Sequence, residues 1–183
     1  MIIEPRKIAL KDGRCCIVRT PRKEDGQAVL DFMVQCNGET EFVIRYPDEF
    51  TITGEQEGDI LENMAQSAYD LSVACFDGEK CIANAGINFS NRDKLKHRAN
   101  VGIGILKDYW RQGIATALFE ILTEAAEARP EVVYIGLEYI EGNDSGRALY
   151  EKLGYTEVYR KPDAIRWRDG SIHAEIGMVK YIK

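Results

Sequence analysis

From Ile114 onward the apolar residues Ile114, Leu118, Ile121, Leu122 and Ala125 recur at three- and four-residue spacing, while Glu120, Glu124 and Glu127 take the opposite side. That pattern predicts an amphipathic helix, closed by Pro130. Ahead of it, Val101 to Leu106 reads as an apolar, β-branched strand broken by Gly102 and Gly104. Glycine inside a strand marks a bulge or the close approach of another backbone or a ligand. Behind the helix, Glu131 to Tyr139 is the next strand, so the strand, helix, strand succession predicts a right-handed crossover and a parallel pair.

The rest of the chain alternates differently. Arg14 to Arg19 predicts a first strand, and Thr20-Pro21 with Arg22-Lys23-Glu24-Asp25 opens a helix that carries Ala28, Val29, Phe32 and Met33 on one stripe. Asn37 to Thr53 holds neither period and reads as a loop, with Tyr46-Pro47 enforcing an extended turn. Glu55 to Gln66 predicts a second helix with Ile60, Leu61 and Met64 inward. Tyr69 to Phe76 and Lys80 to Phe89 alternate as two antiparallel strands around Asp77-Gly78, a hairpin signal. Asn91 to Lys96 is a polar loop, and His97 to Leu106 returns as the glycine-broken strand. A short helix at Asp144 to Leu153 and strands near Tyr155 to Lys161 and His173 to Ile182 complete an α/β (α+β) architecture: a mixed, mostly antiparallel sheet flanked by helices.

Composition narrows the class. A chain of 183 residues with 45% hydrophobic content is long enough for one well-buried domain, expected over 1–183, and short for two. No apolar run approaches membrane-spanning length and Met1 to Lys7 lacks a signal peptide's apolar core, so a cytoplasmic protein without a membrane partner is expected. Five cysteines, odd in number and without CxxC spacing, suggest neither a disulfide framework nor a zinc site, and no metal is expected. The formal charge of −6 argues against nucleic acid as the main partner. The charge is uneven. Between Glu39 and Asp70 lie nine acids (Glu39, Glu41, Asp48, Glu49, Glu55, Glu57, Asp59, Glu62, Asp70) against one base, Arg45. Such a stretch is either a solvated helix face or an acidic lip that concentrates a cationic substrate.

The helix that starts at Gly113 is an anion site by construction, because its first turn has unpaired N–H groups and the positive end of the dipole. A dinucleotide fingerprint fails, since Lys107 stands where a third glycine is needed, and a Walker loop fails because Gly113 is followed by Ile114. The run Trp110-Arg111-Gln112-Gly113-Ile114-Ala115 instead resembles the pyrophosphate loop Gln/Arg-x-x-Gly-x-Gly/Ala of the GNAT (GCN5-related N-acetyltransferase) family. Trp110 departs from the pattern at its first position, which leaves the main-chain cradle intact. A second run, Asn143-Asp144-Ser145-Gly146-Arg147-Ala148-Leu149-Tyr150-Glu151-Lys152-Leu153-Gly154-Tyr155, is similar to the family's other signature, an asparagine followed seven residues later by tyrosine. The resemblance covers about Tyr69 to Tyr159.

This resemblance implies a fold with a bulged, splayed central strand and acetyl-coenzyme A as co-substrate. Ile103, Gly104, Ile105 and Leu106 would line the pantetheine and offer backbone N–H groups to the carbonyl oxygen. Arg111, Gln112, Gly113, Ile114, Ala115 and Thr116 would cradle the pyrophosphate. Asn143 would cap its helix and bond the pantetheine arm, and Arg147, with Lys107, Arg111 and Lys152, would lie near the phosphate end. Tyr150 would hydrogen-bond the departing thiolate. A phenol near 10 against a thiol near 8.5 makes full proton transfer uphill by roughly 2 kcal/mol.

An amine titrating near 10.4 is neutral in roughly one molecule in two thousand at pH 7, so a base helps. Glu138 is the candidate, in a position where relatives that acetylate ribosomal-protein N-termini carry a glutamate; His97 and Glu175 are weaker ones. Direct attack is preferred to a covalent cysteine, because Cys15 and Cys16 point to opposite faces of a strand and neither Cys75 nor Cys81 has a histidine nearby in sequence. The expected acceptor is a primary amine: a small cationic amine or polyamine, an aminoglycoside-like compound, an amino acid, or a protein N-terminus. The rival classes are a coenzyme A sensor without turnover and an interaction module. Asp163 to Glu175 would form a hairpin over the cleft or a dimer contact, and a homodimer is common among relatives.

Overall fold

The computed structural model describes Met1 to Lys183. Its elements are β1 Arg6–Ala9, β2 Cys15–Arg19, α1 Gly26–Gly38, α2 Gly54–Gln66, β3 Asp70–Asp77, β4 Lys80–Phe89, β5 Arg98–Ile105, α3 Ile114–Glu127, β6 Tyr134–Ile140, α4 Asp144–Lys152, β7 Thr156–Arg166 and β8 Ile172–Tyr181. The strands form one sheet in the order β1-β2-β3-β4-β5-β6-β8-β7. Only β5 and β6 run parallel, as the intervening helix requires. The β3–β4 hairpin turns at Gly78, whose φ of 60° suits the tight primed turn.

The feature that shapes the site is where the parallel pairing stops. Arg98, Ala99 and Asn100 pair with Tyr134, Ile135 and Gly136, and there the ladder ends. β5 continues to Ile105 beside β4, while β6 continues to Ile140 beside β8. Each strand therefore keeps its outer partner while the two part from each other, and the sheet forks. The β4–β5 ladder runs from Phe89 with Ala99 to Ala83 with Ile105 without a register shift. Gly102 and Gly104 thus mark no bulge against β4, contrary to that part of the expectation, and the splay lies wholly on the β6 side. Gly104 is required by packing instead, because a Cβ there would lie 3.2 Å from Cys36 Sγ and 3.3 Å from the Phe32 ring. This contact seats α1 on the face that carries Asn100, Gly102 and Gly104. A Cβ on Gly136 would point at the Asn100 side chain, so Gly136 and Glu138 share the α1 face. Tyr139 turns to the other face, where Phe119 of α3 and Tyr150 of α4 meet it or each other.

Three further elements depart from the sequence pattern. β1 was not anticipated, since four residues reading Arg-Lys-Ile-Ala at a sheet edge carry almost no periodic signal. β7 runs on to Arg166 through Pro162, which an outermost strand tolerates. In α2 the buried stripe is Glu57, Gly58 and Leu61, while Ile60 is 44% exposed rather than inward. The phase is set by glycine. A Cβ on Gly26 would overlap the backbone of Gly54 and Gly58, and one on Gly58 would overlap the Lys23 carbonyl, so α1 and α2 touch main chain to main chain. Gly26→Ala should force these helices apart and destabilise the protein by about 2–3 kcal/mol, read as a lowered urea midpoint with an unchanged m-value.

Candidate active site

At the mouth of the fork the chain leaves β5, makes a single turn at Lys107–Tyr109 and enters α3. The turn is tied down from below: Leu106 N–H donates to the Ile82 carbonyl (3.0 Å), Lys107 N–H to Glu39 Oε2 (2.6 Å) and Tyr109 Oη to Asp77 Oδ2 (2.9 Å). Arg111 and Gly113 both adopt left-handed backbone, with φ of 62° and 91°. A Cβ on Gly113 would meet nothing, so glycine is there for its conformation. The helical ladder begins with Ala117 N–H to the Gly113 carbonyl (3.2 Å), and no side chain caps the helix. The N–H groups of Ile114, Ala115 and Thr116 are therefore free at the positive end of a 14-residue helix, a cradle fitted to phosphate. Gln112 is not directed there, since its Oε1 accepts from Asp12 N–H (3.2 Å).

The fork itself presents two open strand edges. Because Leu106 N–H faces β4, alternation turns the amides of Ile103 and Ile105 into the gap, and the Ile105 carbonyl on that side accepts from Trp110 Nε1 (2.8 Å). Neither amide has a side-chain acceptor, and both lie beyond the end of the pairing with β6, so Ile103 and Ile105 offer donors on the open side. Burial, followed by Glu39, pushes the Cys36 thiol up to about 11. Burial alone dominates at Cys81, which rises to about 12, and it also raises Cys75. The buried cysteines, including the one beside the gap, are held as thiols, which favours direct attack over a cysteine route. Cys15 is exposed and Cys16 buried, on opposite faces as the alternation requires.

Tyr150 projects from α4 into an aromatic cluster, with ring centroids 6.0 Å from Phe119, 6.0 Å from Tyr139 and 6.3 Å from Tyr155. Burial foremost, then Tyr139, raises its pKa. Its hydroxyl has no partner in the protein and, unlike the sealed hydroxyl of Tyr155, is not shut off from solvent. Asn143 is the cap of α4, its Oδ1 accepting from Gly146 N–H (2.9 Å). Arg147 lies along α4 in an exposed pair with Glu151 (2.9 Å) rather than free at the phosphate end. Glu138 stands on the opposite face of β6 from Tyr139, exposed, with its carboxylate beside Tyr159 Oη (3.3 Å). Glu175 on β8 reaches the same hydroxyl (3.4 Å). His97 is apart from this group, stacked edge-on to Tyr134.

The acidic stretch is largely engaged within the protein. Asp48 pairs with Arg168, Asp59 and Glu62 with Lys23, Glu39 and Glu49 accept backbone N–H groups, and Asp70 accepts from Ser67 and Asn88. Glu57 is buried, which raises its pKa against the pull of Arg45. Glu41 and Glu55 are left at the surface, so the solvated or internally paired reading outweighs the acidic lip. The turn of the β7–β8 hairpin lies against the segment after α1: Trp167 meets the edge of Phe42, and Arg168 covers the Tyr46 ring at 3.9 Å. Tyr159 and the Glu39 link escaped the sequence reading, as neither belongs to a local pattern. No group of three or more His, Cys, Asp or Glu side chains is placed to hold a metal ion.

A sheet forked between two parallel strands, with an uncapped helix at its mouth, is the arrangement that the resemblance to the acetyltransferases implied. A model of the acetyltransferase (GNAT) family matches residues 37–155, and the chain belongs to that family. A protein of Bacillus subtilis (strain 168) with the provisional name ribosomal N-acetyltransferase YdaF is 28% identical over 90 residues. That match spans 49% of this chain and 48% of the relative, about half the length of each. Among solved structures, a GNAT-family acetyltransferase from Streptococcus pneumoniae superposes with a TM-score of 0.84 at 23% identity, over 91% of this chain and 99% of that one. The ribosomal-protein-S18-alanine N-acetyltransferase from Escherichia coli does so with 0.68 at 22% identity, over 92% and 94%. These likenesses establish the fold.

Capping and ligand contact at Asn143 are separable. Asn143→Ala should cost about 1 kcal/mol of stability through the lost cap. Asn143→Asp should retain stability while removing the amide donor, and acetyl-coenzyme A affinity, measured by calorimetry, should fall with it.

Proposed function

We propose that residues 1–183 form one catalytic domain that transfers an acetyl group from acetyl-coenzyme A to a primary amine by direct attack, in the cytoplasm. The forked β5–β6 pair carries this reading, because it sets an open amide edge between a phosphate cradle and two functional side chains on opposite faces. No helix is long and apolar enough to cross a membrane. When bound, acetyl-coenzyme A supplies an acyl group activated as a thioester. Ile114, Ala115 and Thr116 hold its pyrophosphate through their amides, and Asn143 and the edge of β5 hold the arm. The Ile103 amide donates where negative charge develops on the carbonyl oxygen.

Glu138, on the α1 face, takes the proton that the amine must lose. Tyr150, from the other face, donates a hydrogen bond to the departing sulfur. The raised pKa of Tyr150 makes it a poorer acid but leaves it a donor at every working pH, which favours hydrogen bonding over proton transfer. The acceptor class best supported is the N-terminal amine of a protein or peptide, since the relatives' names point to ribosomal proteins. A small polyamine is the second candidate.

The test is mass-detected transfer from acetyl-coenzyme A to a panel of ribosomal-protein N-terminal peptides, polyamines, aminoglycosides and amino acids. Transfer to one class is expected, with kcat lowered about 10- to 100-fold in Tyr150→Phe, the worth of one hydrogen bond to a charged group. Binding of acetyl-coenzyme A without transfer to any acceptor would put a sensor in place of the enzyme.

A further inference from the structure

Glu138, Gly177 and Tyr159 stand side by side across three strands. Glu138 on β6 pairs with Gly177 on β8, and Gly177 pairs with Tyr159 on β7. The ladder between β7 and β8 shifts register between Glu157 and Tyr159, which brings the tyrosine into line. A Cβ on Gly177 would overlap the Tyr159 ring at three of its carbons, so the ring lies flat across β8 in the space that a side chain would fill. That crossing carries the hydroxyl one strand further, to Glu138 Oε1 at 3.3 Å, with Glu175 Oε1 of β8 at 3.4 Å. Both contacts are longer than an ordinary hydroxyl hydrogen bond, the one hydroxyl lying between two acceptors.

We infer that Tyr159, laid across Gly177, is a positioning residue that fixes the Glu138 carboxylate for proton removal from the acceptor amine. An exposed glutamate on a strand has free rotamers, and a base gains its effect from being held in one geometry. Tyr159 supplies the hold from two strands away, with Glu175 on the intervening β8 as a second acceptor for the phenol. Burial, then Glu138 and Glu175, push the phenol up to about 12, so it remains a donor through the neutral range. Gly177 is the residue that permits the reach.

This inference rests on Glu138 as the base, and the experiment separates the two. With the amine acceptor found above, kcat and KM are measured for Glu138→Gln, Tyr159→Phe and the double variant, with melting temperature as a structural control. Tyr159→Phe should lower kcat about tenfold while leaving KM for acetyl-coenzyme A and the melting temperature unchanged. In the Glu138→Gln background the same change should have little further effect, because there is no longer a carboxylate base to hold. Gly177→Ala, where it folds, should reproduce the Tyr159→Phe loss. Full activity in Tyr159→Phe, or an equal loss with and without Glu138, would overturn the positioning role while leaving the base intact. Full activity in Glu138→Gln would remove the base and the positioning role together.

Discussion

The protein depends on an interrupted hydrogen-bond ladder. A strand edge left open within a sheet is a liability, because its amides and carbonyls lose partners they would otherwise have. Here the loss is confined to one seam. β5 and β6 remain paired at Arg98 to Asn100, and each is held along its full remaining length by the strand outside it. The fork is therefore rigid, with both prongs fixed from behind. A flexible gap would lose the orientation that makes an amide useful toward a developing charge.

The same arrangement explains the placement of charge and sulfur. The turn into α3 is built almost entirely from backbone, with two left-handed residues at Arg111 and Gly113 steering the chain into a helix whose first amides stay free. Arg111 is the charged side chain carried by that turn. Beside Gly104, burial followed by Glu39 pushes the Cys36 thiol up and keeps it protonated. Its thiol fills space against Gly104 and leaves the amine of the acceptor as the nucleophile of the proposed reaction.

The central strand, the following helix and the parallel partner were legible because their apolar periods are long and the connection between them is short enough to have one handedness. The left-handed turn into α3 was legible through Gly113, whose conformation few other residues adopt. Of the inward set assigned to α2, Leu61 is buried and Met64 half-buried but Ile60 is exposed, since Gly54 and Gly58 make the closest helix contact and glycine carries no hydrophobic signal. Arg147, expected near the phosphate end, pairs along α4 with Glu151, an i,i+4 contact at the surface. Tyr159 was invisible for another reason. Its neighbour Glu138 lies far away in sequence, and a register shift in β7 decides which residue arrives opposite Gly177.

Glu138 and Tyr139 are adjacent in sequence, yet the pleat sends one to the α1 face and the other into the aromatic cluster around Tyr150. The sheet thus acts as a septum with a slit in it, and the two halves of the proposed chemistry work from opposite sides. In the proposed reaction an acceptor arriving on one side need not pass the coenzyme, which Tyr150 and the α3 amides would hold from the other. Its bulk can stay outside while a single terminal nitrogen reaches the slit. Such a partition suits a macromolecular acceptor as readily as a small one, and it separates the route by which the acceptor arrives from the route by which the spent thiol departs.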